Sequence, residues 1–311
     1  MSIAKRQAAK IEYAAALAAG RPPDFDEADL GTWVRAADEL VEQGELELGD
    51  FAVRQLQAAR PNLLWSRNMA SLFDIMPEAD PREPPFSDRF PLTAQTVARP
   101  GAKTAVVVFC GARQRIGMPL SMLHRWLSRW PVSLIYLRDP MGLGYLTGVE
   151  SLGPDLGATL QALRRQFDAL GAQRIVCFGH SIGSYGALRY GLDLGAEAVI
   201  CMAGVINLKP GFNVGLNYGG VAGRAQARFP DQELDLRQLH QSAARPPRTW
   251  MVFSEHNWDD RLQAEHMAGL DGVVLTQVDR AKTHNVAVEL MRAGRFDALI
   301  DEAIQAERPA R

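Results

Sequence analysis

Apolar positions change their period twice along the chain. Within residues 1–77, Leu30, Trp33, Val34, Ala37, Leu40 and Val41 recur at the three- and four-residue spacing of one helical face. Breaks at 20–23, 44–49 and 60–62 divide this stretch into three or four short helices. From Pro77 to Pro100 the chain turns to Pro, Asp, Arg and Thr and keeps neither period, which predicts a linker with one short edge strand around 92–97. Beyond it lie nearly continuous apolar, β-rich runs at 104–109, 132–137, 174–178, 198–202, 249–253 and 273–278. Most are separated by helical stretches such as 118–130 and 156–170. Strands of this kind, joined by crossovers long enough for a helix, predict an α/β fold with a mostly parallel sheet covered on both faces. The predicted organisation is a helical segment at 1–77, a Pro-rich linker at 78–102, an α/β domain at 103–305 and a tail at 306–311.

Composition adds bounds. With 311 residues, of which 47% are hydrophobic and 23% charged, the chain can bury a large core beside an accessory unit. A formal charge of -2 gives no broad attraction to nucleic acid or to an anionic membrane, so the substrate is sought in a local pocket. Cys110, Cys177 and Cys201 each fall inside an apolar run and read as small hydrophobes in a reducing, cytoplasmic setting. Lys5, Arg6 and Lys10 precede an Ala-rich stretch from Tyr13 to Ala19, but Glu12 interrupts it and an amphipathic helix describes it better than a signal peptide. No run reaches the roughly 18 consecutive apolar residues of a membrane span. The paired helices of 1–77 resemble a truncated tetratricopeptide-like repeat. Packing against the main domain is the simpler expectation for them, and a surface for a protein partner or for self-association is the alternative.

Chemistry is expected at the carboxyl ends of the strands. The run 174–178 leads into Gly179, His180, Ser181, Ile182 and Gly183, and then into a helix-compatible stretch at 184–194. Flanking glycines permit the tight bend that lifts a serine hydroxyl clear of a sheet, so Ser181 is the candidate nucleophile, with a helix-capping serine as the alternative. The order of strand, Gly-x-Ser-x-Gly turn, helix, further strands and a late histidine resembles the α/β-hydrolase superfamily over roughly residues 103–305. The resemblance implies a fold and an acyl-transfer mechanism, but no particular substrate.

A serine hydroxyl needs an imidazole to take its proton. Among six histidines, His180 occupies the variable position of the turn, His124, His240 and His266 lie in predicted helices as surface residues, and His256 precedes the helix near Asp259. Only His284 follows the last predicted strand and precedes the helix at 286–292, where the resemblance implies the base. It also implies two oxyanion donors: the N–H of Ile182, and one from the loop that begins Cys110, Gly111, Ala112 and Arg113, with Ala112 favoured and Gly111 permitting close approach. The acid is the irregular member. No Asp or Glu occurs from Gly204 to Pro230, so it is sought after 249–253, in Ser254, Glu255, His256, Asn257, Trp258, Asp259 and Asp260. The family spacing falls on Asn257, which carries no charge. If Asp259 caps the helix that starts there, Asp260 is free to reach His284; Asp259 and Glu255 are the alternatives.

The long connection at 204–247 carries Gly211, Gly215, Gly219, Gly220 and Gly223 and is a candidate lid, with Phe212 and Tyr218 offering substrate contacts. Lys209, Arg224, Arg228 and, beside the oxyanion loop, Arg113 and Arg115 would favour an anionic substrate, or are simply solvated. No metal site and no organic cofactor is indicated, because no His or Cys cluster has ligand spacing and no Gly-x-Gly-x-x-Gly follows the first strand. The leading expectation is a serine esterase acting on a small-molecule or conjugate ester, or on a thioester or amide. An acyltransferase using the same triad and a non-catalytic binding module with a helical partner surface are the alternatives.

Overall fold

A computed structural model describes residues 3–25, 29–84, 86–279 and 284–307. The chain forms two compact units, one of Met1–Arg89 with Met118–Arg129 and the other of Phe90–Gly117 with Trp130–Arg311.

The first unit is helical, with α1 (Ile3–Ala18), α2 (Leu30–Glu42), α3 (Leu46–Ala59), α4 (Leu64–Phe73) and α5 (Leu120–Leu127). The spacing read along α2 is the spacing it buries: Trp33, Ala37, Leu40 and Val41 are buried, together with Ala36. Tyr13 from α1, Phe25 and Trp33 meet edge to face with centroids 4.9–6.0 Å apart, an arrangement that suits the ring quadrupoles. Ala9, Ala52 and Leu56 complete this core. His124, expected on the surface, is buried instead; it stacks on Phe86 at 4.7 Å, and its Nε2 lies 2.9 Å from the Pro84 carbonyl. Burial lowers its pKa to about 4. Its helix lies between two strands in sequence yet belongs to the helical unit, so the face that a surface helix leaves to water is covered here.

The second unit holds a seven-stranded sheet of β1 (Ala94–Val97), β2 (Thr104–Phe109), β3 (Val132–Leu137), β4 (Arg174–His180), β5 (Ala198–Met202), β6 (Arg248–Ser254) and β7 (Val273–Val278). Their order is β1-β3-β2-β4-β5-β6-β7; β1 pairs antiparallel with β3 and every other pair is parallel. Each predicted run is a strand, and the short edge strand lies at the sheet's margin. β2, β3 and β5 are buried along their whole length, as strands covered on both faces must be, while β7 at the far edge is only partly buried. The helices of this unit are α6 (Leu156–Leu170), α7 (Gly183–Leu194), α8 (Gly219–Arg228), α9 (Leu236–Ser242), α10 (Trp258–Glu265), α11 (Val286–Arg292) and α12 (Phe296–Gln305). Asp155 caps α6 by accepting the Ala158 N–H at 2.7 Å, and Gly171 ends it in the left-handed conformation. The three cysteines are buried and form no disulfide among the described residues. No helix among the described residues is long and apolar enough to cross a membrane.

Candidate active site

β4 ends at His180 and α7 begins at Gly183, which leaves Ser181 and Ile182 to turn the chain. Ser181 takes a φ of 56°, a left-handed conformation that non-glycine residues adopt at a cost. The turn is held by Ser181 N–H donating to Met202 O (2.9 Å) and by the Ser181 carbonyl accepting from Ser184 (3.0 Å) and Val205 (3.2 Å). A side chain at Gly183 would place its Cβ 2.2 Å from Phe109 O, and one at Gly179 would lie 2.6 Å from Gly183 O. Both glycines are therefore required by sterics. β2 ends beside this turn: a Cβ on Gly111 would stand 3.0 Å from His180 O and 3.3 Å from Ser181 Cβ. The buried Tyr145 hydroxyl fixes that strand end, lying 2.9 Å from Cys110 O and 2.8 Å from Leu137 O.

The loop after β2 contains one candidate donor, and the turn after β4 the other. Gly111 N–H is occupied by Arg115 O at 2.9 Å. Among the described residues neither Ala112 N–H nor Ile182 N–H has an acceptor within the chain.

His284 lies just before α11, and its Nδ1 is 2.8 and 2.9 Å from the two oxygens of Asp260. A carboxylate can only accept, so in the neutral imidazole the ring proton sits on Nδ1 and the lone pair on Nε2. Asp260 is 1% exposed. That burial raises its carboxyl pKa, while the hydrogen bond and charge of His284 act in the opposite direction. Residue Asn257, where the family spacing would have an acid, is the cap of α10: its Oδ1 accepts Asp260 N–H at 3.2 Å. The cap is thus Asn257 and not Asp259, because a residue in helical conformation inside the first turn cannot be the cap. Asp259 instead accepts two hydrogen bonds from Asn217, at 2.9 and 2.6 Å. Glu255 points to water, with His256 at 3.9 Å as its ionic neighbour. The Asn-x-x-Asp pattern that marks this cap was readable in the sequence.

Two further groups approach His284. Tyr218, the residue before α8, brings its hydroxyl to 3.4 Å from Nε2. Burial raises that phenol's pKa, as does the charge of Asp260, while hydrogen bonding to Ser181 lowers it. His180 lies with its ring centroid 5.2 Å from that of His284 and its Nε2 3.4 Å from the His284 carbonyl. Burial, aided by the charge of His284, lowers its pKa to about 3, so it is a neutral neighbour.

A sheet parallel in all but its first strand, with a strained serine between its central strand and the next helix, decides the architecture. The fold resembles that of the α/β-hydrolases. No protein-family profile and no curated protein matches the chain. Solved α/β-hydrolase structures share its course at low identity. An alpha/beta hydrolase enzyme from the sediment metagenome of the lagoon of Mar Chica, Morocco, is 15% identical, with a TM-score of 0.45 over 67% of this chain and 92% of that one. An S-formylglutathione hydrolase from Agrobacterium tumefaciens is 17% identical, with a TM-score of 0.48 over 71% and 94%. Carboxyl esterase 2 from the mycorrhizal fungus Tuber melanosporum is 13% identical, with a TM-score of 0.47 over 67% and 78%.

The remaining candidates of this α/β-hydrolase-like fold are dispersed. Arg113 is exposed and makes no hydrogen bond or ion pair among the described residues. Lys209 is neutralised by Glu233 at 2.8 Å, and Arg224 reaches the carbonyls of Gly220 and Gly142. Phe212 packs its ring 4.7 Å from that of His266, which in turn bonds Asp235 at 2.8 Å, so this aromatic is engaged away from His284. Beneath it Gln263 accepts the N–H groups of Ile206 and Asn207 at 2.8 and 2.9 Å and donates to Asn213 at 3.1 Å. Neither this anchor nor the burial of His240 is visible in the sequence, where the histidines of α9 and α10 read as surface residues. Among the described residues no three His, Cys, Asp or Glu side chains converge as metal ligands would.

Proposed function

We propose that this chain is a serine hydrolase that cleaves a carboxylic ester through an acyl-enzyme on Ser181. The reading is carried by one observation, the His284 ring held through Nδ1 on a buried Asp260, with Nε2 left as the basic nitrogen. In this mechanism Nε2 accepts the Ser181 proton as Oγ attacks the ester carbonyl carbon, and Asp260 stabilises the imidazolium that forms. The negative charge moves to the former carbonyl oxygen, where the unoccupied N–H groups of Ile182 and Ala112 act as donors, each contributing about 2.7–4 kcal/mol to the barrier reduction. Collapse expels the alcohol oxygen, which takes the proton from Nε2. Water then repeats the cycle on the acyl-enzyme and releases the acid. The strained φ of Ser181 supports the nucleophile's role, since such a conformation persists where the surroundings over-determine it.

The test is covalent labelling by a fluorophosphonate, together with turnover of p-nitrophenyl esters. The wild-type protein is expected to do both, while Ser181→Ala and His284→Ala lose turnover to a similar extent, on the order of 10⁶-fold, because triad members act as a unit. A Ser181→Ala protein that hydrolyses these esters at the wild-type rate would overturn the proposal.

A further inference from the structure

The β5–β6 connection meets the proposed triad and the residue beside its acid through two consecutive residues. Asn217 binds Asp259 from both its backbone N–H and its side-chain amide. Tyr218 sets its hydroxyl 3.4 Å from His284 Nε2, with ring centroids 6.5 Å apart. Asp259 and Asp260 are the second and third residues of α10, so one helical turn holds the connection by one carboxylate and the imidazole by the next. Among the described residues no hydrogen bond joins Ser181 Oγ directly to His284 Nε2; the phenol is that nitrogen's partner and is also hydrogen-bonded to Ser181, so it stands between the two. With the proton on Nδ1, Nε2 offers a single lone pair. The same atom must take the serine proton and later return it to the leaving oxygen. A phenol O–H that donates to Nε2 while its oxygen accepts from Ser181 keeps that nitrogen from direct contact with the serine and with a leaving oxygen.

We infer that Tyr218 is a positioning residue for the reaction proposed above: its hydroxyl occupies His284 Nε2 in the leaving-group position, and the Ser181–His284 contact forms when a substrate displaces it. The inference rests on the serine-hydrolase reading and deepens it. The Asn217–Asp259 clasp sets how firmly the phenol is held, because it fixes the backbone of the residue before it. A substrate is selected by whether its leaving-group oxygen, once bound, occupies Nε2 better than the phenol does. Small acyl-transfer probes that do not push the connection aside meet the masked base and react slowly.

The experiment uses the full chain and two variants. Tyr218→Phe keeps the ring and removes the competing donor, and Asn217→Asp sets a like charge against Asp259 to loosen the clasp. Two readouts apply: the rate of labelling by a small fluorophosphonate, and the ¹⁵N resonances of the histidine rings. Labelling is expected to accelerate about threefold to tenfold in Tyr218→Phe, the effect of losing one neutral hydrogen bond, and to rise in Asn217→Asp as well. The Nε2 resonance of His284 should move while those of His266 stay in place. Slower labelling in Tyr218→Phe would mean that the phenol relays the proton, and would overturn the inference. Equal rates with an unmoved Nε2 resonance would overturn it too. A shifted Nε2 resonance with no labelling in any of the proteins would instead sink the serine-hydrolase reading while leaving the phenol contact in place.

Discussion

Among the described residues of the sheet unit, two histidine–aspartate pairs have equal length and differ in nearly everything else. His284 meets Asp260 through Nδ1 at 2.8 Å, while His266 meets Asp235 through Nε2 at 2.8 Å. The first leaves Nε2 beside the Ser181 turn and the Tyr218 hydroxyl. The second spends Nε2 on Asp235, with Asn207 at 3.3 Å, and lays its ring against Phe212. The carboxylates diverge as well. Burial would raise Asp235, but the hydrogen bond and charge of His266, an Arg237 N–H and Lys209 together hold it below the ordinary range. Burial raises Asp260 despite His284, and the neighbouring charge of Asp259 adds to the rise. The fold thus lowers the carboxyl pKa of Asp235 and raises that of Asp260. A His–Asp contact by itself does not mark a site for proton transfer; the opposite shifts are what separate the two pairs.

Asp260→Asn should break the comparison most visibly. Losing the charge that stabilises the imidazolium is expected to lower kcat by about 10³–10⁴-fold. The same substitution should leave the urea midpoint at pH 7 unchanged or higher, because it removes a carboxylate whose pKa the fold has raised. A strongly destabilised but active Asp260→Asn protein would reverse the roles of the two pairs.

Gln263→Leu is the next largest. It strands the buried N–H groups of Ile206 and Asn207, at about 1–3 kcal/mol for each donor, and should lower the unfolding midpoint with only a secondary effect on labelling of Ser181.

Asp235→Asn comes third, at about 1.5–3 kcal/mol of stability at pH 7, the range for a hydrogen bond to a charged group. Its sign with pH differs from that of Asp260. The folded pKa of Asp235 lies below the unfolded value, so its contribution is complete above about pH 4 and is lost as the pH falls through the folded value. For Asp260 the folded pKa lies above the unfolded one, and its cost is relieved as the pH falls. Denaturation at pH 7 and pH 3 should therefore show the Asp235→Asn deficit shrinking in acid. A deficit that grew there would contradict the assignment.

Phe212→Leu is the smallest, about 0.5–1.5 kcal/mol from the lost ring contact on His266, with kcat/KM for small esters unaltered. A marked fall in kcat/KM would return Phe212 to the substrate.

Much of this was legible along the chain. The strand runs from 104 to 278 and the edge strand follow from apolar run length and from the crossovers between them, because strands covered on both faces admit few polar residues. The serine turn was legible for a local reason: the glycines at 179 and 183 are demanded by atoms within a few residues or on the adjacent strand. The acid could be narrowed to a short stretch, since Gly204 to Pro230 has no carboxylate, and Asp260 was preferred, but for a faulty reason. Asp259 does not cap α10; Asn257 does, and Asp259 holds Asn217 forty-two positions away.

By itself the sequence determined what depends on composition within one element: which stretches are helix or strand, where the sheet begins, and where a serine can stand in a left-handed turn. Tertiary structure decided everything that depends on two distant stretches meeting. It assigned α5 to the helical unit, although the chain runs through it between two strands of the sheet. It buried His124 and His240, which helical periodicity alone left in water. It gave His266 to Asp235 and His284 to Asp260, and brought the Tyr218 hydroxyl to 3.4 Å from His284 Nε2. The physical reason is the same in each case. Local propensity and hydrophobic period fix an element through neighbours a few residues away, whereas a titratable side chain is defined by the polar atoms and the burial it meets, and those come from parts of the chain that carry no local signal of one another.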